Sequence, residues 1–383
     1  MDLFEYQAKR LFYEMGIPTP PARLALDVDE ALEVVDEWQL PLVVKAQVLS
    51  GGRGKAGTVV IVNDRAAFKQ AAEQMFWITD EDRPVSHVLV ERMVAVEHEF
   101  YLAVALDRHL RQWVLLFSNY GGVDVEHSLR AGPERLVSLP IDPLKGLKAS
   151  QVELIIAEAA KVVPITDALR RDFVLIVSAV ARLAHDDEAT LVEINPLALA
   201  HDGRLIALDG KVDLDDNALG RHPELALLQT FAGERERRAH VAGLPYLSLQ
   251  GDIGVIGSGA GHLMSTIDMI AAAGGRAADF CDIGGGARAG AIRTAFSVIT
   301  SDERVKCILV NIFGGITRGD EMARGILEGV TAATRKMPVI VRIDGNDAQA
   351  ALDLLTAEEI PRLTIIANVD DAIAAVVAAA AGA

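Results

Sequence analysis

Four side chains near the middle of the chain stand at spacings that can do chemistry together. They lie in Leu191-Val192-Glu193-Ile194-Asn195-Pro196 and Ala207-Leu208-Asp209-Gly210-Lys211. If His201-Asp202-Gly203 closes a hairpin, Ala200 pairs with Arg204, and counting outward sets Asn195 opposite Asp209 and Lys211 opposite Glu193. Strand side chains alternate, so Glu193 and Asn195 share a face. Three oxygen-bearing groups and one lysine then gather between apolar neighbours. Hard oxygen donors of this kind suit Mg²⁺, which takes one or two protein carboxylates and shares phosphate oxygens. The plain alternative is a solvent-facing hairpin, which the apolar flanks argue against.

Two further groups of residues point toward a nucleotide. Lys45 ends an apolar, β-type run and is followed by Gly51-Gly52-Arg53-Gly54-Lys55. Glycines let backbone N–H groups approach phosphate oxygens without a Cβ in the way, and a lone ammonium on a buried strand needs an anion. The loop is not a Walker A sequence, because no Gly-Lys-Ser/Thr stands at the required spacing. Glu91 lies in the strand Leu89-Val90-Glu91-Arg92-Met93-Val94 and Glu99 follows it; such acids can hold an adenine amino group or ribose hydroxyls, or can be ordinary edge-strand charges.

The C-terminal part carries three glycine-rich turns: Gly257-Ser258-Gly259-Ala260-Gly261, Ile283-Gly284-Gly285-Gly286 and Phe313-Gly314-Gly315-Ile316-Thr317-Arg318. Each follows a strand pattern and precedes a helix pattern. In a doubly wound sheet such turns meet at the carboxyl edge, where helix N-termini attract carboxylate or phosphate. A dinucleotide site is not expected, since no acid suitably placed for ribose follows about 20 residues on. His262, after Gly261, reads as a cap-region histidine rather than a phosphorylated one.

The elements that must position these residues follow from periodicity. Leu3 to Phe12 has helical spacing and Gly16 ends it. Strands are expected at Leu40–Val48, Thr58–Val62, His87–Val94, Glu99–Leu106 and Leu110–Phe117, with helices at Asn63–Met75, where Asp64 is the expected cap, Lys148–Val163 and Thr166–Ala184. The hairpin strands are Thr190–Ala200 and Arg204–Asp209. Glu234 to Arg238 is charged throughout and reads as a solvated helix or linker. Beyond it, Ile253–Ile256, Ala277–Cys281, Val305–Ile312, Pro338–Ile343 and Leu363–Ala367 alternate with helix patterns, which predicts a parallel α/β domain. The expected organisation is an α+β domain over 1–241 and a doubly wound domain over 242–383.

Bulk properties narrow the class. The 383 residues carry 37 basic and 54 acidic side chains, a formal charge of −17. Phosphate backbones and anionic membranes demand basic surface, so neither nucleic acid nor membrane is an expected partner. Two cysteines, Cys281 and Cys307, exclude a disulfide framework and fit a reduced, cytoplasmic setting. No signal peptide is expected, because charges interrupt the first turns, and the apolar tail from Ala372 is too short to span a bilayer.

Taken in order, these motifs resemble the β subunits of the succinyl-CoA synthetase (succinate–CoA ligase) family over essentially the whole chain. The resemblance is carried by Leu3-Phe4-Glu5-Tyr6-Gln7-Ala8-Lys9, Val44-Lys45-Ala46-Gln47 with the Gly51–Gly57 loop, Val192-Glu193-Ile194-Asn195-Pro196-Leu197, Leu208-Asp209-Gly210-Lys211 and Val310-Asn311-Ile312-Phe313-Gly314-Gly315-Ile316. It implies an ATP-grasp domain followed by a flavodoxin-like one. It implies nucleotide binding, of ATP/ADP or GTP/GDP, by Lys45, Gly52, Arg53, Gly54, Glu91, Val94 (through its backbone) and Glu99. It implies Mg²⁺ at Asn195 and Asp209, and a role for Glu193 in steadying a phosphohistidine. Ser258, Gly315, Ile316 and Thr317 fall where the family binds its acid, succinate or a related dicarboxylate. The implied reaction interconverts acyl-CoA, phosphate and a nucleoside diphosphate with acid, CoA and the triphosphate, through an acyl phosphate. The CoA site and phosphohistidine are implied to belong to an α subunit. Ser258 stands where the family usually has Asn, His262 where Leu is usual and Thr317 where bacterial relatives have Val, so a malate–CoA ligase is the nearest alternative. Other readings are an ATP-grasp ligase joining a carboxylate to an amine, and a non-catalytic nucleotide-binding subunit.

Overall fold

The computed structural model describes residues 1–49, 57–80, 83–122, 135–229, 231, 233–314, 318–333, 335–345 and 347–382. The chain forms two compact units, Met1–Thr230 and Phe231–Ala383. That division lies N-terminal to the expected one near Ala242. The charged segment after Gly233 is a helix whose Ala239 packs into the second unit's core, which is why it belongs there and not to a linker.

The first unit opens with α1 (Glu5–Glu14), β1 (Ala22–Ala25), α2 (Val28–Glu37), β2 (Leu42–Ala46), β3 (Val59–Val62) and α3 (Arg65–Trp77). A short pair, β4 (Thr79–Asp80) and β5 (Arg83–Pro84), precedes β6 (Val88–Arg92). Strands β1, β6, β2 and β3 form one antiparallel sheet, covered by α2 and α3 through Val34, Val35, Phe68, Ala72 and Met75. Asp64 caps α3, accepting from the Ala67 N–H at 2.8 Å.

A second sheet contains β7 (Val96–Asp107), β8 (Gln112–Ser118), β9 (Val137–Ile141), β10 (Ala189–Ala200), β11 (Leu205–Ala207) and β12 (Gly210–Leu214). Two helices, α4 (Ala149–Ala159) and α5 (Asp167–Asp186), contribute to its core. Leu169, Phe173, Ile176, Val177, Val180, Leu183 and Ala184 of α5 recur at helical spacing and are buried there. A short helix, α6 (Pro223–Ala226), follows.

The hairpin register is the one counted from the turn. Leu199 pairs with Leu205, Leu197 with Ala207 and Glu193 with Lys211. The expected single strand Arg204–Asp209 is instead interrupted, and pairing resumes as β12 at Gly210. At the interruption the Leu208 carbonyl accepts from two lysines, Lys9 and Lys45. Gly210 meets the helix layer: a Cβ there would lie 2.3 Å from Phe12 Cε2 of α1.

The second unit holds α7 (Glu234–Val241), β13 (Tyr246–Ser248), β14 (Ile253–Gly257), α8 (Ala260–Ala272), β15 (Asp279–Asp282), α9 (Ala289–Ile299), β16 (Cys307–Gly314), α10 (Gly319–Ala332), β17 (Val339–Gly345), α11 (Ala348–Ala357), β18 (Leu363–Ile365) and α12 (Val369–Ala381). The sheet order is β13-β15-β14-β16-β17-β18. The five expected strands are parallel and follow the 2-1-3-4-5 order of flavodoxin-like sheets. Strand β13 adds an antiparallel edge that the periodicity did not reveal.

Candidate functional site

Lys45 does find anions, and they are carboxylates of this chain. Its Nζ lies 2.7 Å from Glu5 Oε1, 2.8 Å from Glu91 Oε2 and 2.7 Å from the Leu208 carbonyl. Burial disfavours the ammonium, but the neighbouring Glu5 and Glu91 carboxylates outweigh it, with Asp209 adding to them, and hold the amine protonated well above its ordinary range. Glu91 is 2 % exposed, so it is no solvent-facing edge charge. Gly52, Arg53 and Gly54 of the predicted phosphate loop lie outside the described residues.

The backbone pairing of the hairpin is the one counted, with Glu193 opposite Lys211. The Asn195 N–H donates to the Asp209 carbonyl at 3.3 Å, and the Gly122 N–H donates to Asn195 Oδ1 at 2.7 Å. A carbonyl oxygen has two lone pairs, so Asn195 Oδ1 keeps capacity for a cation. Asp209 Oδ1 accepts from the Gly210 N–H at 2.7 Å. Glu193 is half-buried and accepts from the Tyr101 hydroxyl at 3.2 Å. Burial raises the Glu193 carboxyl above its ordinary range, with Asp209 and Asp213 adding to the shift against the Tyr101 hydrogen bond and Lys211. Lys211 pairs with Asp213 at 3.5 Å. Among the described residues no group of three or more His, Cys, Asp or Glu could hold a metal ion. The donor set therefore offers one carboxylate and one amide oxygen, a hard and incomplete set that suits an ion sharing phosphate and water oxygens. Glu99 is half-buried on β7, opposite Ala198, and Val94 is half-buried between β6 and β7.

In the second unit the glycine-rich turns meet at the carboxyl edge. The Phe313 N–H donates to Ser258 Oγ at 3.2 Å, and that hydroxyl is also 3.2 Å from the Phe313 carbonyl. Asp282 Oδ1 accepts from both Gly259 N–H and Gly284 N–H at 2.7 Å, tying the first two turns together. Strands β14 and β16 are where the strand order reverses, so Ser258 stands at the switch point, the place where ligands bind in such sheets. Gly315, Ile316 and Thr317 lie outside the described residues. His262, in the first turn of α8, is half-buried. Burial and the nearby Arg342 guanidinium hold its imidazole below the ordinary range.

The family model described as an ATP-grasp domain matches residues 2–199, and the one described as CoA-ligase matches residues 256–376. The succinate–CoA ligase [ADP-forming] subunit beta of Rubrobacter xylanophilus is 41 % identical over 358 residues, 93 % of this chain and 92 % of that protein. The protein of the same name from Chloroflexus aurantiacus is 40 % identical over 379 residues, 98 % of this chain and 99 % of its own. The chain belongs to the succinate–CoA ligase β-subunit family. The fold agrees with a solved relative of low identity: ATP citrate lyase from Methanothrix soehngenii, bound to citrate and coenzyme A, superposes with a TM-score of 0.76 at 19 % identity, covering 98 % of each chain.

For this β-subunit family member, the structure brings Glu193, Asn195 and Asp209 together with Lys45 and Glu91 nearby through the Leu208–Asp209 link. Sequence reasoning missed Glu5, Lys9, Tyr101 and Gly122. Tyr101 was accessible to it: Glu99, Tyr101 and Ala103 alternate onto one face, and Ala103 pairs with Glu193. Glu5 and Lys9 carried a signal too, as an i,i+4 charge pair on the buried face of an amphipathic helix. Among the described residues no helix is long and apolar enough to cross a membrane.

Proposed function

We propose that this chain is the β subunit of an ADP-forming succinate–CoA ligase, interconverting nucleoside diphosphate, phosphate and succinyl-CoA with nucleoside triphosphate, succinate and CoA. The observation that carries the reading is the hairpin register, which sets Glu193 opposite Lys211 and Asn195 beside Asp209, in a chain about 40 % identical to β subunits of that name. Lys45, Glu91, Val94 and Glu99, with the loop residues Gly52, Arg53 and Gly54, form the proposed nucleotide set. Asn195 and Asp209 would hold Mg²⁺, which when bound neutralises phosphate oxygens. Glu193, with its carboxyl raised by burial and steadied by Tyr101, is suited to hold a proton or an imidazole N–H beside the phosphates. A histidine delivered by an α subunit, which also carries the CoA site, is the proposed phosphoryl carrier. His262, half-buried in the first turn of α8, is proposed as a cap-region residue and not as that carrier.

Ser258 at the switch point, with Gly315, Ile316 and Thr317, is the proposed acid-binding group. Its hydroxyl already bonds the Phe313 backbone, which fixes the turn at the carboxyl edge where an acid would bind. No observation favours malate or a non-catalytic role. The proposed setting is the cytoplasm, consistent with two free, buried thiols.

The test is Asp209→Ala in the assembled two-subunit enzyme, assayed with succinate and malate. The expected result is loss of Mg²⁺-dependent nucleotide turnover with assembly intact, and a wild-type preference for succinate. Normal turnover in the variant would remove the metal assignment.

A further inference from the structure

Lys9 belongs to neither the proposed nucleotide set nor the metal set, yet it is buried at 5 % exposure with three partners. Its Nζ lies 2.5 Å from Glu91 Oε1, 2.8 Å from Glu5 Oε1 and 2.6 Å from the Leu208 carbonyl. Lys45 reaches the same three residues. Two ammonium groups thus share two carboxylates and one carbonyl. The carbonyl belongs to the residue before Asp209, at the break between β11 and β12.

We infer that Lys9 is a positioning residue for the nucleotide and Mg²⁺ site: it aims Asp209 through the Leu208 carbonyl and neutralises Glu5 and Glu91 so that Lys45 can be shared with phosphate. The inference rests on the nucleotide reading above. Without Lys9 the two buried carboxylates lose one of the two ammonium groups they share, which is costly in a low-dielectric site. Both carboxylates then compete for Lys45 alone, drawing it away from phosphate oxygens. The Leu208 carbonyl also loses one of two donors, which loosens the peptide that presents Asp209. Partners one step removed from a metal typically matter in this way.

The experiment uses the α–β complex carrying Lys9→Met. Expected are MgADP binding weakened about tenfold or more by calorimetry and a matching loss of bound Mn²⁺ by electron paramagnetic resonance. The KM values for succinate and CoA should stay within about twofold. Glu5→Gln/Lys9→Met removes one carboxylate together with one ammonium, so nucleotide binding should recover in part. Equal losses for all three substrates, or a double variant no better than the single one, would overturn the inference. Should Lys9→Met fail to assemble, the double variant carries the test, and losses not confined to nucleotide and Mn²⁺ overturn it. Lys45→Met and Asp209→Ala separate the two levels. If both keep wild-type MgADP affinity, the nucleotide reading itself falls. If both lose it while Lys9→Met does not, only the positioning role falls.

Discussion

Asp279 shows how far a single residue can depart from its type. It sits on β15 at 1 % exposure, accepts from the Val255 N–H at 3.0 Å through Oδ1, and has no partner for Oδ2 among the described residues. Burial pushes its carboxyl up to about 8, against the Val255 hydrogen bond. An unfolded aspartate ionises near pH 4. The folded form binds more protons between those values, so this group's contribution to stability is full below about pH 4 and is lost as pH rises toward about 8. Asp279→Asn keeps the Val255 acceptor and cannot ionise. Its melting midpoint should match wild type near about pH 4 and exceed it by several degrees near about pH 8. Calorimetry across that range checks this, and parallel midpoint curves would count against it. Lys45 makes the same point at the proposed site. Its sequence neighbours show that a buried ammonium needs an anion, but Glu5 stands 40 residues earlier, and only the fold delivers it.

At the scale of elements, the hairpin was the most legible part of the chain. The Gly-containing turn fixes the register, and a slip by one residue would turn every side chain to the wrong face. The break at Leu208–Asp209 was not legible, since the lysines that bond its carbonyl lie far away in the chain, on α1 and β2. The helix α1 is locked against β12 at Gly210, where any side chain would meet the buried Phe12 ring. Gly210→Ala should therefore destabilise the first unit by about 1–3 kcal/mol, the usual cost of overpacking. Denaturant unfolding measures it, and partial recovery in Phe12→Leu/Gly210→Ala would identify the ring as the cause. Strands β1, β9 and β13 escaped the periodicity reading. They are three to five residues long, too short for alternation to stand out.

The whole molecule is two compact units, each with its own core, and the proposed function assigns the CoA site and the phosphohistidine to an α subunit. The isolated chain is expected to give no succinate-dependent CoA ligation, with turnover appearing on titration of the cognate α subunit. A coupled assay for free CoA checks this, and turnover by the chain alone would overturn the two-subunit reading. The sequence by itself determined most element types, the hairpin register, the parallel, doubly wound character of the second unit and the family, because each follows from local periodicity, β-α alternation, turn chemistry or contiguous motifs. Only the tertiary structure decided that Lys45 and Glu91 belong to a buried cluster of opposite charges with Glu5 and Lys9, and that Ser258 is tied to Phe313 across the switch point. These are contacts between elements far apart in the chain. Their energies depend on burial and on which charges share a low-dielectric site, and neither is written in the spacing of residues along one strand.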